Sequence, residues 1–279
     1  MLGAIAGDIV GSVYENFRTK RKDFRLFTPV STFTDDTVLT VAVADAILSG
    51  AAFGPTIKAY ARRHPMRGYG PRFYRWMVTP GVKPYNSFGN GSAMRVSPVA
   101  HAFPSEEEML HQARRTAECT HNHPEGIKGA EATALAVFLA RHGADKESIR
   151  KTIEKRFGYD LSRSIDSIRP TYRNDLTCQG SVPESIIAFL DSESFEDAVR
   201  NAVSLGGDAD TQACIAGAIA EAHYKEIPLD LLHQTKRRLS KPLWQKTLEF
   251  YKRFGIKEIV EQLDSLDGEK RAELATPHK

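Results

Sequence analysis

Two short segments of the chain carry acidic and hydroxyl side chains in the same order, each directly before an apolar run. TFTDDT contains Asp35 and Asp36, and GGDADT contains Asp208, Asp210 and Thr211. Asp and Thr are common N-cap residues, and a negative charge at a helix N-terminus is stabilised by roughly 0.3–1 kcal/mol. Capping accounts for one acid at each helix start and leaves the second acid at each place unexplained.

If the two helix starts are neighbours in space, four carboxylates converge. Like charges about 4 Å apart repel by roughly 4 kcal/mol per pair at an effective dielectric of about 20. Bound cations or raised pKa values would be needed to tolerate this. Neither segment offers His or Cys, so the donor set is that of Mg²⁺ or Mn²⁺ rather than zinc. Two ions sharing bridging oxygens can hold a substrate and activate water together. A metal site and simple capping both stay open at this point.

The first segment does not carry the signature of the helical prenyl synthases, another class of all-α magnesium enzyme. Leu39 stands four positions after Asp35, so the DDxxD motif of helical prenyl synthases is absent.

Three further features could contact a ligand. Backbone N–H groups of a glycine-rich loop can converge on an anion, although a tight turn explains such a loop equally well. That loop consists of Gly89, Asn90, Gly91 and Ser92. His121 and His123 precede a predicted helix, where one of them or Asn122 can act as the cap. Glu15 follows the first apolar segment, and an isolated glutamate is usually solvated.

Almost every periodic segment has a helical period, which predicts a compact all-α, multi-helix bundle in one domain, residues 1–265, with a frayed tail at 266–279. Helix starts are predicted at Ser105, Pro124, Ser181 and Ser194, and helix ends at Gly143 and at Gly206–Gly207. Three helices are apolar or small on all sides and are predicted to be buried: GAIAGDIVGSVY, TVLTVAVADAILSG and TQACIAGAIAEAHY. In the first of them, Gly3, Gly7 and Gly11 share one face, which allows a neighbouring helix to approach closely.

Composition narrows the class of protein. The chain has 279 residues and a formal net charge of +3, which gives no electrostatic reason for a nucleic acid or a membrane as an obligatory partner. No apolar stretch approaches the roughly 20 residues of a membrane span. Cys119, Cys178 and Cys214 share no CxxC spacing and suit a reducing compartment, so a cytoplasmic protein is expected. The basic run Arg18–Arg25 is predicted to be a solvated loop.

Five segments together resemble the ADP-ribosylglycohydrolase family, which includes the dinitrogenase-reductase-activating glycohydrolases and the ADP-ribosyl-acceptor hydrolases. In chain order they are GDIVGSVYE, TFTDDT, GNGSAMRVSP, THNHPEGIKGA and GGDADT. Each motif alone is common, but all five occur here in the order found in the family, between about residue 3 and about residue 222.

The resemblance implies an all-α domain that binds two Mg²⁺ ions, or Mn²⁺, at the base of an ADP-ribose cleft. The implied metal ligands are Thr34, Asp35, Asp36, Asp208, Asp210 and Thr211. Glu15 matches a mobile catalytic glutamate, and Asp208 or Asp210 would take the proton of the attacking water. The residues Gly89, Asn90, Gly91 and Ser92 would hold the diphosphate and the adjacent ribose, with His121 reaching the same region. Asp8 matches the family motif and is predicted to be structural.

The implied activity is removal of ADP-ribose from an acceptor, with arginine on a protein first. Serine, O-acetyl-ADP-ribose and nucleic-acid acceptors are alternatives, as is a catalytically silent ADP-ribose-binding or structural relative. All six implied ligands and Glu15 are present, which favours activity. Acceptor contacts are expected from loops at 17–30 and 71–88, with Tyr85 and Phe88 as candidates to stack on adenine. The sequence does not predict an oligomeric state.

Overall fold

The computed structural model describes residues 1–81 and 83–275, with side chains described as far as Leu266. Within these residues the secondary structure consists of fifteen α-helices and one short 3₁₀ helix, η1, without a β-strand, so the all-α prediction is confirmed. The elements are α1 Leu2–Gly11, α2 Asp35–Ser49, α3 Phe53–Arg63, α4 Pro71–Val78, η1 Asn90–Ser92, α5 Ser97–Ala102, α6 Glu106–Glu118, α7 Pro124–Arg141, α8 Lys146–Phe157, α9 Ile165–Ile168, α10 Cys178–Leu190, α11 Phe195–Val203, α12 Ala209–Tyr224, α13 Leu229–Arg238, α14 Lys241–Phe254 and α15 Lys257–Ala275.

The pair α1 and α12 forms the centre of the bundle. Every residue of α1 is buried, and so is α12 from Ala209 to Ala222, as the lack of a polar face predicts. A Cβ placed on Gly3, Gly7 or Gly11 would lie 2.2, 2.0 or 2.4 Å from a carbonyl oxygen of α12. The two backbones therefore touch along the predicted glycine face. Because Gly11 at the end of α1 meets Ala209 at the start of α12, the segment after α1 lies beside the acidic start of α12.

Asp8 connects α1 to the start of α2. Its carboxylate accepts hydrogen bonds from the backbone N–H of Thr34 at 3.0 Å and of Thr37 at 3.1 Å. It also accepts from the hydroxyl of Thr34 at 2.7 Å and from the hydroxyl of Thr37. Four donors leave little capacity for a metal on this carboxylate, which supports the structural role predicted for it.

Helix boundaries follow the sequence signals with two exceptions. Ser105 and Ser194 are N-caps, and Pro124 is the first residue of α7. The N-cap predicted at Ser181 is wrong: α10 starts at Cys178, because the Thr177 hydroxyl accepts from the Gly180 N–H at 3.1 Å.

Ser181 instead lies inside α10, and its hydroxyl donates to the Thr177 carbonyl at 2.7 Å. A serine hydroxyl inside a helix can donate a hydrogen bond to a carbonyl of the preceding turn, so the motif SVPE does not have to mark the start of a helix. The second exception is α11, which ends at Val203 before the left-handed Gly206 is reached, at φ +65°.

The helix α15 continues to Ala275, past the predicted domain boundary at residue 265. The side chains of the predicted tail after Leu266, and all of residues 276–279, lie outside the described residues. The division into a domain at 1–265 and a tail at 266–279 therefore stays a prediction.

Candidate active site and metal centre

The starts of α2 and α12 open onto one cleft, which answers the question raised by the two acidic segments. Most of the residues proposed from sequence line it: Glu15, Asp35, Asp36, Gly89, Asn90, Gly91, His121, Asp208, Asp210 and Thr211. Arg72 and Phe73, from the region 71–88 predicted to contact the acceptor, also line it, although they lie on helix α4 and not on a loop. Met94, Arg95 and Leu176 line it without having been predicted. Their types are common in cores and loops, so no sequence signal distinguished them.

The carboxylates form two overlapping groups. Oxygens of Asp36 and Asp210, together with Asp8, lie within 4.8 Å of one another, and oxygens of Glu15, Asp208 and Asp210 do so as well. Asp210 belongs to both groups and links them. The two acidic segments, more than 170 residues apart in the chain, thus meet in space.

Helix capping does not account for these acids. The N-cap of α2 is Thr34, whose hydroxyl accepts from the Asp36 N–H at 3.3 Å. Asp208 occupies the N-cap position of α12 and makes no side-chain capping bond there. Its carboxylate instead accepts from the Asn90 amide at 2.6 Å. The carboxylates of Asp36 and Asp208 therefore line the cleft and do not cap these helices, whereas Asp210 Oδ1 accepts from the Thr211 N–H at 2.9 Å.

Burial and mutual repulsion set the protonation of the cluster. Burial, followed by the charge of Asp8, raises the pKa of Asp35 and of Asp36 well above the ordinary range of an aspartate. Burial, followed by the charge of Asp208, does the same to the pKa of Asp210. The pKa of Asp208 is also raised by burial, although hydrogen bonds from Asp210 and Asn90 act against that rise. Each raised pKa means that the ionised form of the carboxyl is unfavourable here unless a cation compensates its charge.

The donor set fits hard divalent ions. Asp36 Oδ1 is buried and has no hydrogen-bond partner among the described residues. A buried acceptor without a partner costs about 1–3 kcal/mol, more if it is charged. Since the surrounding donors are carboxylate and hydroxyl oxygens, the residues present match the ligand preferences of Mg²⁺ or Mn²⁺.

Two of the proposed site residues have side chains that also serve the surrounding structure. The Ser92 hydroxyl is buried and donates to the Gly126 carbonyl at 2.7 Å, which holds the glycine-rich loop against α7. The Thr34 hydroxyl donates to Asp8 and lies 3.3 Å from Asp36 Oδ2. Ser92 is therefore buried beneath the loop and does not line the cleft, and Thr34 contacts Asp36 without lining the cleft itself.

The glycine-rich loop is the 3₁₀ helix η1 and its flanks. The Asn90 N–H donates to the Leu176 carbonyl at 2.9 Å, and the Cys178 N–H donates to the Phe88 carbonyl at 2.9 Å. These bonds attach the loop to the start of α10. Asn90 therefore orients Asp208 with its side chain and fixes the loop with its backbone.

The two histidines of THNHP have separate roles. His123 is the N-cap of α7 and accepts from the Glu125 N–H at 3.1 Å, as the capping alternative predicted for one of them. His121 is buried and lines the cleft. Burial, followed by the charges of Arg95 and Arg72, holds the pKa of His121 well below its ordinary range, so its imidazole is neutral.

Of the two aromatic residues proposed to stack on adenine, Tyr85 lines the cleft and Phe88 does not. Phe88 packs its ring against His123, with ring centroids 5.3 Å apart, and is 41% exposed. Phe88 follows the cleft-lining Ser87 directly in the chain, and the local sequence does not say which of the two side chains turns inwards.

Glu15 stands in the turn after α1 at the exposed rim of the cleft. Partial burial, followed by the charge of Asp208, raises the pKa of its carboxyl. The segment that follows, Arg18–Arg25, is a mostly exposed loop, as predicted, and it is also anchored by hydrogen bonds. Lys20 Nζ donates to the carbonyl oxygens of Tyr172, at 2.7 Å, and of Leu205.

A second attachment comes from α11. The Arg200 guanidinium donates to the carbonyl oxygens of Lys22 and Phe24, both at 2.8 Å, and Lys22 pairs with Asp197 at 2.6 Å. The run stays largely exposed, and its two lysines and two of its backbone carbonyls are bonded to residues far along the chain.

Replacing Lys20 by methionine is expected to loosen the Glu15 segment without unfolding the protein. The two lost hydrogen bonds are partly exposed, so we expect a cost of about 1 kcal/mol and a roughly fivefold larger open fraction of the segment. Limited digestion with trypsin measures this, because Arg18 and Arg25 lie in the segment. Arg21→Met is the matched control, since Arg21 pairs with Asp23 inside the loop. Equal digestion of the two variants would contradict the anchoring role of Lys20.

Comparison with known proteins gives the family. The ADP-ribosylglycohydrolase profile matches residues 1–268. The chain belongs to the ADP-ribosylglycohydrolase family. It is 29% identical to ADP-ribosylhydrolase ARH3 of Danio rerio, covering 82% of this chain and 83% of the relative. It is 28% identical to ADP-ribosylhydrolase ARH3 of Homo sapiens, covering 92% and 90%.

A more distant relative is the ADP-ribosylarginine hydrolase Tri1 of Pseudomonas putida, at 25% identity over 80% of this chain and 69% of the relative. A solved structure described as an ADP-ribosylglycohydrolase-related protein complex superposes with a TM-score of 0.71 at 26% identity, covering 91% of this chain and 96% of that one. Membership of the ADP-ribosylglycohydrolase family supports a hydrolase of ADP-ribosylated substrates.

Among the described residues, no helix combines the length and the apolar character that crossing a membrane requires.

Proposed function

We propose that this ADP-ribosylglycohydrolase cleaves the glycosidic bond between ADP-ribose and an acceptor with the help of two divalent ions, and that ADP-ribosylated arginine on a protein is the first substrate to test. The observation that carries the proposal is the convergence of two acidic helix starts at one cleft, where the buried Asp36 Oδ1 has no hydrogen-bond partner in the described part of the chain. A relative named for arginine supports that acceptor.

Two Mg²⁺ ions, or Mn²⁺, would be held by the six oxygen-bearing residues Thr34, Asp35, Asp36, Asp208, Asp210 and Thr211. When bound, such ions neutralise the carboxylates and supply Lewis-acid activation of water at neutral pH.

Three carboxylates and one amide of the cleft would carry the remaining catalytic and orienting roles. Asp208 and Asp210 are the carboxylates placed to accept a proton from the attacking water, and Asn90 fixes the orientation of Asp208. The raised pKa of Glu15 lets this carboxyl hold a proton at a higher pH than an isolated surface glutamate does, which suits assistance to a leaving group. Its exposed position at the rim also allows it to pair with a guanidinium acceptor.

The rest of the cleft suits a nucleotide. Gly89, Asn90, Gly91 and His121 line the part that would take the diphosphate and the adjacent ribose. The rings of Tyr85 and Phe73 line the same cleft and offer faces for adenine. Free thiols at Cys119, Cys178 and Cys214 suit the cytoplasmic location that we propose.

The decisive experiment is a panel of ADP-ribosylated arginine and serine peptides, O-acetyl-ADP-ribose and ADP-ribosylated nucleic acid, assayed with Mg²⁺, with Mn²⁺ and with EDTA. We expect free ADP-ribose from at least one substrate, fastest from arginine, and none in EDTA. A preference for another acceptor would replace arginine and keep the metal-dependent hydrolase. No release from any substrate, with metal binding demonstrated by calorimetry, would identify an ADP-ribose-binding relative without catalysis.

Gly91→Ala is expected to weaken ADP-ribose binding about tenfold and leave the melting temperature nearly unchanged. The added Cβ would lie 3.2 Å from His121 Nε2, so the imidazole has to give way where the ligand is proposed to bind. Displacing one charge-assisted hydrogen bond is worth roughly this factor. Calorimetric titration with ADP-ribose in Mg²⁺ measures it, and Gly54→Ala, at a residue that does not line the cleft, is the control. Unchanged affinity would remove the loop from the proposed diphosphate site.

A further inference from the structure

A buried chain of hydrogen bonds runs from Arg95 to His121. The Arg95 side chain is fully buried, and its Nη2 donates to the Thr116 carbonyl and to the Thr120 hydroxyl oxygen, both at 2.8 Å. The Thr120 hydroxyl oxygen in turn lies 2.7 Å from His121 Nδ1. None of the assignments from the family motifs involves Arg95 or Thr120.

The direction of this chain follows from the donors available. A guanidinium has donors and no acceptor, so Thr120 Oγ1 must accept from Arg95. The hydroxyl proton of Thr120 is then free to go to His121 Nδ1. The other acceptor within its reach is the Cys119 sulfur, which accepts only weakly. If Nδ1 carried the proton instead, the hydroxyl proton of a fully buried threonine would lack a good acceptor.

The consequence for His121 is a single tautomer. A neutral imidazole carries one N–H, so when Nδ1 accepts from Thr120 the proton sits on Nε2. Burial and two nearby arginines keep the ring neutral, as its lowered pKa indicates.

The protonated nitrogen faces the glycine-rich loop. A Cβ on Gly91 would lie 3.2 Å from Nε2, and a Cβ on Gly89 would lie 3.7 Å from it. Among the described residues, no hydrogen bond engages Nε2. The donor is therefore available to a ligand oxygen at the loop.

We propose that Thr120, with Arg95 behind it, is a positioning residue that holds His121 as a neutral Nε2–H donor towards an anionic oxygen of a nucleotide diphosphate bound at the glycine-rich loop. This inference rests on the proposed function for its ligand. The hydrogen-bond chain itself can be tested on the protein without any ligand.

The test compares Thr120→Val, Thr120→Ser and Thr116→Val with the unmodified protein. Thr120→Val removes the hydroxyl and keeps the shape, whereas Thr120→Ser keeps the hydroxyl. Thr116→Val is matched in burial and chemistry, because the Thr116 hydroxyl bonds to the Ala113 carbonyl and its own carbonyl still accepts from Arg95. ¹⁵N NMR of the imidazole, assigned with His121→Gln, reads the tautomer, and calorimetry reads the Kd for ADP-ribose in Mg²⁺.

We expect Nε2–H as the one tautomer of His121 in the unmodified protein, in Thr120→Ser and in Thr116→Val. In Thr120→Val we expect a changed Nδ1 resonance and a Kd for ADP-ribose raised about tenfold, the factor expected for a hydrogen bond to a charged oxygen. The serine variant should recover the affinity of the unmodified protein. A purely structural role for Thr120 would alter stability without changing the imidazole resonances.

An Nδ1–H tautomer or an imidazolium in the unmodified protein would overturn the inference, as would a Thr120→Val variant with unchanged resonances and Kd. Failure of the unmodified protein to bind ADP-ribose, with the Nε2–H tautomer present, would count against the proposed function and leave the hydrogen-bond chain intact.

Discussion

Asp36→Asn is expected to abolish hydrolysis and, in the presence of a chelator at neutral pH, to raise the melting temperature. The carboxylate is buried among Asp8, Asp35 and Asp208, all of which raise its pKa. An amide of the same shape removes one like charge from this cluster and keeps the Thr34 cap of α2, which uses the residue's backbone N–H. Relief of about 1–3 kcal/mol raises the melting temperature by roughly 2–4 °C per kcal/mol.

The loss of activity has a separate cause. Asp36 Oδ1 is a buried oxygen without a hydrogen-bond partner among the described residues, and an asparagine there offers one neutral oxygen in place of a carboxylate. Loss of a group central to catalysis typically lowers kcat by a factor of about 1,000 or more. Release of ADP-ribose in Mg²⁺ and melting curves in EDTA measure the two effects on the same sample.

The pH dependence of the metal-free protein follows from the same shifts. The pKa values of Asp35, Asp36 and Asp210 are raised in the folded state. Stability from these groups is therefore fully present below the ordinary aspartate pKa, and it is lost as the pH rises through the raised folded-state values. Melting temperatures in EDTA should fall over that range, and they should fall less in Asp36→Asn.

Asp45→Asn is the matched control, because Asp45 lies on the same helix and pairs with Lys246 at 2.9 Å, outside the cluster. It should give no gain of stability in EDTA and no loss of activity. A large fall in melting temperature for Asp36→Asn in EDTA would show that the aspartate stabilises the start of α2, as the capping interpretation holds.

Gly7→Ala is expected to lower the free energy of unfolding by about 3 kcal/mol or more, a larger loss than for Gly54→Ala or Gly91→Ala. The new Cβ would lie 2.0 Å from the carbonyl oxygen of Ala213, and a backbone atom in a buried helix pair cannot rotate aside. Overpacking a core by one methyl costs typically 1–3 kcal/mol, and more where the backbone has to move. Urea unfolding followed by circular dichroism measures the loss.

The same substitution in an exposed helix normally stabilises by up to about 1 kcal/mol, because alanine has the better helix propensity. Gly54→Ala in α3 is therefore the control, since its Cβ would lie 3.3 Å from the Cys119 Cβ, a contact with one side-chain atom. If Gly7→Ala matched Gly54→Ala, the close contact of α1 and α12 would not exist in solution. We also expect weakened metal binding in Gly7→Ala, because α12 carries Asp210 and because Asp8 of α1 holds the start of α2, which carries Asp36.

Much of the architecture follows from local chemistry and could be predicted. The periods of apolar residues predict helices, and helices without a polar face predict burial, which α1 and α12 confirm. Glycines at every fourth position predict a close helix pair. The chemical class of the site also follows from residue types, since two groups of oxygen donors without His or Cys point to hard cations.

The sequence did not predict which side chain of one segment contacts which residue of a distant segment. His121 and His123 stand two positions apart in one motif, yet one caps α7 and the other lines the cleft beside a loop from some 30 residues earlier. Asn90 and Ser92 belong to the same loop, but the Asn90 amide bonds to Asp208 and the Ser92 hydroxyl bonds to Gly126. Arg95 shows no sequence signal for its role, because its partners are assembled from the end of α6 and the turn before α7.

The sequence by itself determined which groups are available: the helices, their buried faces, and two sets of aspartates that capping alone could not explain. The tertiary structure decided which of these groups meet, because a side chain's hydrogen bonds and its pKa depend on neighbours far away in the chain, as Asp208 depends on Asn90, 118 residues earlier. The site forms where the glycine face of α1 brings the end of that helix against the start of α12. That contact sets the distances among the carboxylates, and those distances determine whether their repulsion calls for a cation.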